Sequence, residues 1–164
     1  ATTPAAARAA NASLAEVMAD IDRLLGSSGG FLLGAWIADA RALAVAAGHP
    51  EDADYLEWNA RAQVTSWFPS DACINSSTAG TATAVAATAN GAGLDGLWDY
   101  GNKAWGGLVG QYYAQRYAIY AEMAVAAGGR PVDKAAYDAK LMDFACRFAH
   151  GTAAFPATPT GDAV

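Results

Sequence analysis

Residues 100–127 read YGNKAWGGLVGQYYAQRYAIYAEMAVAA. Trp105, Leu108, Val109, Tyr112, Arg116, Tyr117, Tyr120, Met123 and Ala124 recur at steps of mostly three and four, the spacing of one helix face. This spacing predicts one long helix from about Tyr100 to Ala127, stopped by Gly128-Gly129. Gly106, Gly107 and Gly110 crowd into its first half. Each costs roughly 1 kcal/mol against Ala in an exposed helix interior. Three so close together imply that another backbone, or a ligand, comes very near.

The same period extends to both sides. Leu14, Val17, Met18, Ile21, Leu24 and Leu25 predict a first helix to about Leu25, stopped by Gly26-Ser27-Ser28-Gly29-Gly30, with Ser13 and Glu16 as a capping box and Ala5–Ala10 as a separate or frayed start. Leu32, Leu33, Trp36, Ile37, Ala40, Leu43 and Ala44 predict a second, from about Phe31 to Ala47. A third is expected from Asp52 or Asp54 to about Trp67, and a fifth after Pro131 with Asp133 as its cap. No period-2 stretch argues for a strand. Residues 68–96, rich in Ser, Thr, Gly and Ala, read as one long low-complexity loop insertion. The expected fold is all-α, a bundle of about five helices in a single domain spanning residues 1–164.

Composition agrees. The 43 alanines among 164 residues favour closely packed helices, since Ala costs least in a helix interior. The net charge of -6 leaves no basic stripe to displace counterions from a nucleic acid. No apolar run is long enough to span a bilayer, so neither nucleic acid nor membrane is an expected partner. His49 and His150 lie far apart and no Cys/His cluster has ligand spacing, so no metal and no cofactor is expected. Asn11 and Asn75 open glycosylation sequons. For Cys73 and Cys146 two readings stand: one bridge in an oxidising compartment, or two independent thiols. The chain lacks an initiator Met and a signal peptide, as a processed or excised chain would.

No nucleophile elbow, zinc-protease motif or phosphate loop is present. Of the carboxylates, Glu57 and Arg61 have the favourable i,i+4 order, and Asp99 is placed to cap a helix. Trp67, Trp98 and Tyr100 flank the low-complexity loop, where aromatic faces stack on sugar rings or plug the end of a bundle.

Three blocks, FLLGAWIADARALA, NARAQVTSW and LWDYGNKAWGGLVGQYYAQRY, resemble consecutive parts of the C-terminal helical domain of glycoside hydrolase family 89, the α-N-acetylglucosaminidases. The third is the most specific, with Asp99-Tyr100, Asn102-Lys103, Gly107-Leu108, Tyr112-Tyr113 and Arg116 in the family's spacing. The resemblance implies a helical domain packed on a (β/α)8-type barrel, in the same or a cleaved chain. The barrel holds the two catalytic glutamates of a retaining glycosidase, so no catalytic residue is expected in this chain. It implies a terminal N-acetylglucosamine glycan as substrate and a secreted or lysosome/vacuole location. The family's pocket-facing positions fall on Trp67, Leu97 and Tyr100, with Arg61, Asp99, Asn102 and Arg116 as supports. The family joins its Trp and Asp-Tyr blocks by a short turn, so residues 68–96 are an insertion between pocket positions. An apolar docking patch is expected on the isolated domain. The competing reading is a free-standing secreted helical module that binds glycans or proteins without catalysis.

Overall fold

The computed structural model describes residues 3–65 and 101–161. Among them are five α-helices: α1 (Pro4–Gly26), α2 (Leu33–Ala46), α3 (Ala53–Gln63), α4 (Ala114–Ala127) and α5 (Lys134–Ala149). A 3-10 turn, Pro50–Asp52, leads into α3. A π turn, Val109–Tyr113, runs directly into α4. The fold is all-α, as the spacing predicts.

Helix α1 is one uninterrupted element. The Thr3 hydroxyl oxygen accepts from the Ala6 amide at 3.2 Å, and Pro4 occupies the first turn, where its missing N–H costs nothing. Ser13 and Glu16 therefore lie inside the helix, and the capping box expected there does not exist. Asp133 does cap α5, its carboxylate accepting from the Ala136 amide at 3.1 Å.

The helix expected from Tyr100 begins later, at Leu108. Its upstream residues are used elsewhere. The Gly106 amide donates to the Phe31 carbonyl at 2.7 Å, and the Leu33 amide donates to the Gly106 carbonyl at 3.1 Å. This is one isolated parallel bridge between Leu32 and Gly106, and no strand forms among the described residues. Gly107 then turns the chain with φ 87°, a left-handed value that suits glycine. Helix α3 also stops short of the expected Trp67, with the Thr65 hydroxyl donating back to the Arg61 carbonyl at 2.8 Å.

The helices pack as two pairs, α1 with α4 and α2 with α3, and α5 touches both α3 and α4. Leu33, Ile37, Val64, Leu108, Tyr112, Met142, Ala145 and Cys146 form the core. Phe144 stacks on Tyr112 at 5.4 Å, and Phe148 lies 5.0 Å from the same ring.

The tail after α5 is irregular, as expected, yet it is packed. It crosses the C-terminal ends of α3 and α1 and the N-terminal end of α2. The Ala153 carbonyl accepts from Arg61, Phe155 lies beside Gly34 and Gly107, and the Thr160 amide donates to the Gly26 carbonyl at 2.9 Å. Gly34 and Gly107 sit under this strap, whereas Gly106 and Gly110 face α1. A Cβ on Gly34 would lie 2.3 Å from the Phe155 and Pro156 carbonyl oxygens, and one on Gly106 2.6 Å from the Gly26 backbone. Close backbone approach is the reason for these glycines.

Candidate functional site

The two stretches that flank residues 66–100 meet at this strapped end. Trp36 on α2 joins them. Its indole N–H donates to the Ala60 carbonyl on α3 at 2.9 Å, and its ring lies 5.8 Å from that of Trp105. Val64 is in the core against which Trp105 packs. Ala60 and Val64 on one side and Trp105 on the other are thus held in one frame.

Arg61 anchors the frame from below. Its side chain is 2% exposed. Nε and Nη2 donate to Glu57 Oε1 at 2.9 and 2.5 Å, and Nη2 also donates to the Ala153 carbonyl at 2.7 Å. The guanidinium lies over the Phe155 ring at 5.1 Å. The i,i+4 pair of Glu57 and Arg61 therefore forms, and the arginine also ties α3 to the tail. Glu57 Oε2 accepts from Arg41 at 2.7 Å, and Arg41 also donates to Asp54 at 2.8 Å. The Asp54 and then the Glu57 hydrogen bonds hold the Arg41 pKa above its ordinary value. These groups border a polar cavity of about 480 Å³ with Trp58 and His150.

A second anchor was not legible from spacing. Asp22 on α1 accepts from the Gly107 amide at 2.8 Å and from the Gly110 amide at 2.7 Å, both through Oδ1. A carboxylate placed against the free N–H groups at the start of a helix satisfies them and complements its dipole. A Cβ on Gly110 would come within 2.9 Å of that carboxylate. The one signal in the sequence was an acid beside the apolar stripe of α1.

Arg116 lies over both Tyr112 and Tyr113, 5.6 Å from each ring. Asn102 is exposed. Both border a groove of about 420 Å³ between α1 and α4, together with Ile21, Lys103 and Tyr117. Asn11 lies within α1, half-buried. Cys146 is buried and disulfide-bonded. Trp67, Leu97, Asp99, Tyr100, Cys73 and Asn75 lie outside the described residues, as does the expected insertion at 68–96. Among the described residues no group of three or more His, Cys, Asp or Glu is placed to hold a metal ion, and no helix is long and apolar enough to cross a membrane.

Comparison with known proteins identifies the frame. The model of the family described as Alpha-N-acetylglucosaminidase (NAGLU) C-terminal domain matches residues 1–164. The Homo sapiens protein named Alpha-N-acetylglucosaminidase is 30% identical over 151 residues, covering 91% of this chain and 17% of that protein. A family 89 glycoside hydrolase from Clostridium perfringens, solved in complex with 2-acetamido-1,2-dideoxynojirmycin, superposes with a TM-score of 0.62 at 25% identity. That match covers 93% of this chain and 15% of the bacterial one. The chain thus spans about a sixth of the length of the relatives it matches. With its whole length covered by one family model and its helices superposing on a solved member, the chain belongs to the α-N-acetylglucosaminidase C-terminal domain family.

Proposed function

We propose that this chain is the helical domain of a retaining α-N-acetylglucosaminidase, that it completes one wall of the sugar pocket, and that it steadies a catalytic barrel outside these residues. The whole-chain family match carries the proposal. The bacterial neighbour's complex with a 2-acetamido compound supports a terminal N-acetylglucosamine as the sugar. In this reading Trp67 offers a ring face to the sugar or its acetamido group, Tyr100 a hydroxyl or an apolar edge, and Leu97 an apolar contact. The joining of the flanking stretches by Trp36 supports it, because the chain on the two sides of residues 66–100 is tied together at Ala60 and Trp105. Arg61 serves as a support through Glu57 and Ala153, and Arg116 through Tyr112 and Tyr113. Asp99 and Asn102 are proposed supports of the same stretch. The disulfide at Cys146 and the sequons at Asn11 and Asn75 favour a secreted or lysosome/vacuole location.

Two glutamates, a nucleophile and an acid/base, carry retaining hydrolysis, and both are assigned to the barrel. The 164-residue chain alone is therefore expected not to hydrolyse a nitrophenyl N-acetyl-α-glucosaminide, whereas the chain joined to its barrel does. Robust turnover by the pure chain overturns the proposal. In the joined enzyme Trp67→Ala is expected to lower kcat/KM while the melting temperature stays close to that of the parent; unchanged kinetics remove Trp67 from the pocket. Intact mass of the native protein separates this reading from the free-standing binding module, which predicts a polypeptide of 16.8 kDa made on its own.

A further inference from the structure

Helix α1 carries two apolar seams, and only one of them has a partner. Met18 is buried, Leu25 is half-buried, and α1 packs on α4 and the π turn. Leu14, Val17, Ile21 and Leu24 follow at steps of three, four and three, which places them in one stripe beside that seam. They are 39%, 54%, 42% and 59% exposed. Glu16 and Arg23 mark the polar side, about 120° and 140° from the middle of the stripe at 100° per residue. The apolar arc of α1 is thus wider than the seam that α4 and the π turn cover. Four large apolar side chains in one row exceed the scattered singles that a monomer surface normally shows.

The stripe runs into the groove between α1 and α4, where Ile21 and the half-exposed Tyr117 form part of the lining. A flat row of aliphatics beside a cleft suits a protein surface with a protruding anchor side chain. The known relatives suggest the source of that surface. This domain is the C-terminal one of its family and covers 17% of the human protein, so most of that polypeptide lies on the N-terminal side. α1 is the first helix of this chain, so in such a protein the preceding chain leads into the N-terminal end of the helix that carries this stripe. A tethered partner reaches it at high effective concentration, which favours it over a second copy arriving by diffusion.

We infer that the α1 stripe Leu14, Val17, Ile21 and Leu24 is the surface on which the preceding, catalytic part of the same polypeptide docks. The inference rests on the reading given under Proposed function and goes beyond it by naming the face. It is tested in the longer native polypeptide with a benzophenone amino acid placed at Val17 or at Leu24, and at Glu16 as the control. After illumination, crosslinks from Val17 and Leu24 are expected to map to residues of the preceding chain, at several-fold the yield from Glu16. Crosslinks to residues 66–100, a covalent dimer, or a yield no higher than from Glu16 would each overturn it. Hydrolysis of the nitrophenyl substrate by the same preparation reports on the enzymatic reading separately. An active enzyme without these crosslinks sinks the docking face alone. A native protein that is only the 164-residue chain sinks both.

Discussion

Arg61 shows how much one side chain does in this domain. It is an arginine with 2% of its side chain exposed, yet its partners are a carboxylate on its own helix, a carbonyl on the tail and the face of Phe155. Its fork reaches diverging acceptors at once, which a lysine ammonium on a single stem does poorly. Its removal leaves Glu57 with Arg41 alone and the Ala153 carbonyl without this donor, so Arg61→Leu is expected to cost about 1–3 kcal/mol in urea unfolding. Arg61→Lys is expected to recover only part of it. An Arg61→Leu protein as stable as the parent would show that the tail and Glu57 find other partners. The glycines give a second test at this scale. A Cβ on Gly34 meets two backbone oxygens at 2.3 Å, whereas one on Gly30 meets nothing within 4 Å. Gly34→Ala is expected to lower stability by about 3 kcal/mol or more through overpacking. Gly30→Ala is expected to be neutral or to gain up to about 1 kcal/mol by restricting the unfolded chain. Calorimetric melting of the two variants checks the contrast. The Glu57–Arg61 pair was legible as an i,i+4 spacing. The Ala153 contact lies 92 residues away, and no local pattern encodes it.

At the scale of the element, the π turn and α4 begin where Asp22 holds them. Both accepted hydrogen bonds end on the same oxygen, Oδ1. The geometry needs one acceptor atom more than it needs a charge. Asp22→Ala is expected to cost about 1–2 kcal/mol, the usual loss of a helix cap. Asp22→Asn, which keeps the oxygen, is expected to keep most of that stability. Hydrogen exchange at the Gly107 and Gly110 amides checks the mechanism directly: it should quicken in Asp22→Ala and stay near parental rates in Asp22→Asn. Unchanged exchange in Asp22→Ala would show that these amides are held by other groups. Element existence and type were legible throughout, because five apolar stripes at helical spacing survive any tertiary context. Helix α3 ends before the expected Trp67, and the starts of α1 and α4 were misread for opposite reasons. Thr3 and Pro4 start α1 ahead of the apolar stripe on which the capping-box reading relied. Trp105 continues the apolar stripe upstream of Leu108, yet Gly106 spends its backbone groups on Phe31 and Leu33 instead of on a helix.

At the scale of the whole molecule, the tail and the disulfide close the bundle. Cys146, the cysteine among the described residues, is disulfide-bonded and sits in the core. We expect Cys73 to be its partner, so the unfolded chain treated with an alkylating agent without reductant should keep its mass. Uptake of alkyl groups would show thiols instead. Cys146→Ala is expected to lower stability by about 2–4 kcal/mol, the usual worth of a bridge that closes a long loop. A Cys73→Ala protein unfolding at the same denaturant concentration as Cys146→Ala would assign the loss to their pairing.

The sequence by itself determined the helices, their number, their all-α packing and the family, since these rest on short-range periodicity and on ordered blocks such as LWDYGNKAWGGLVGQYYAQRY. It also marked Gly106, Gly107 and Gly110 as points of close approach, because glycine in a helical stretch is costly without a reason. Only the tertiary structure decided what comes close: the end of α1 at Gly106, the Asp22 carboxylate at Gly110, and Phe155 at Gly107. The tertiary structure alone also split the stripe of α1 into a seam that packs on α4 and a seam left open. Periodicity reports that a face is apolar. Which neighbour covers it depends on contacts between residues distant in the chain, and those are settled when the helices meet.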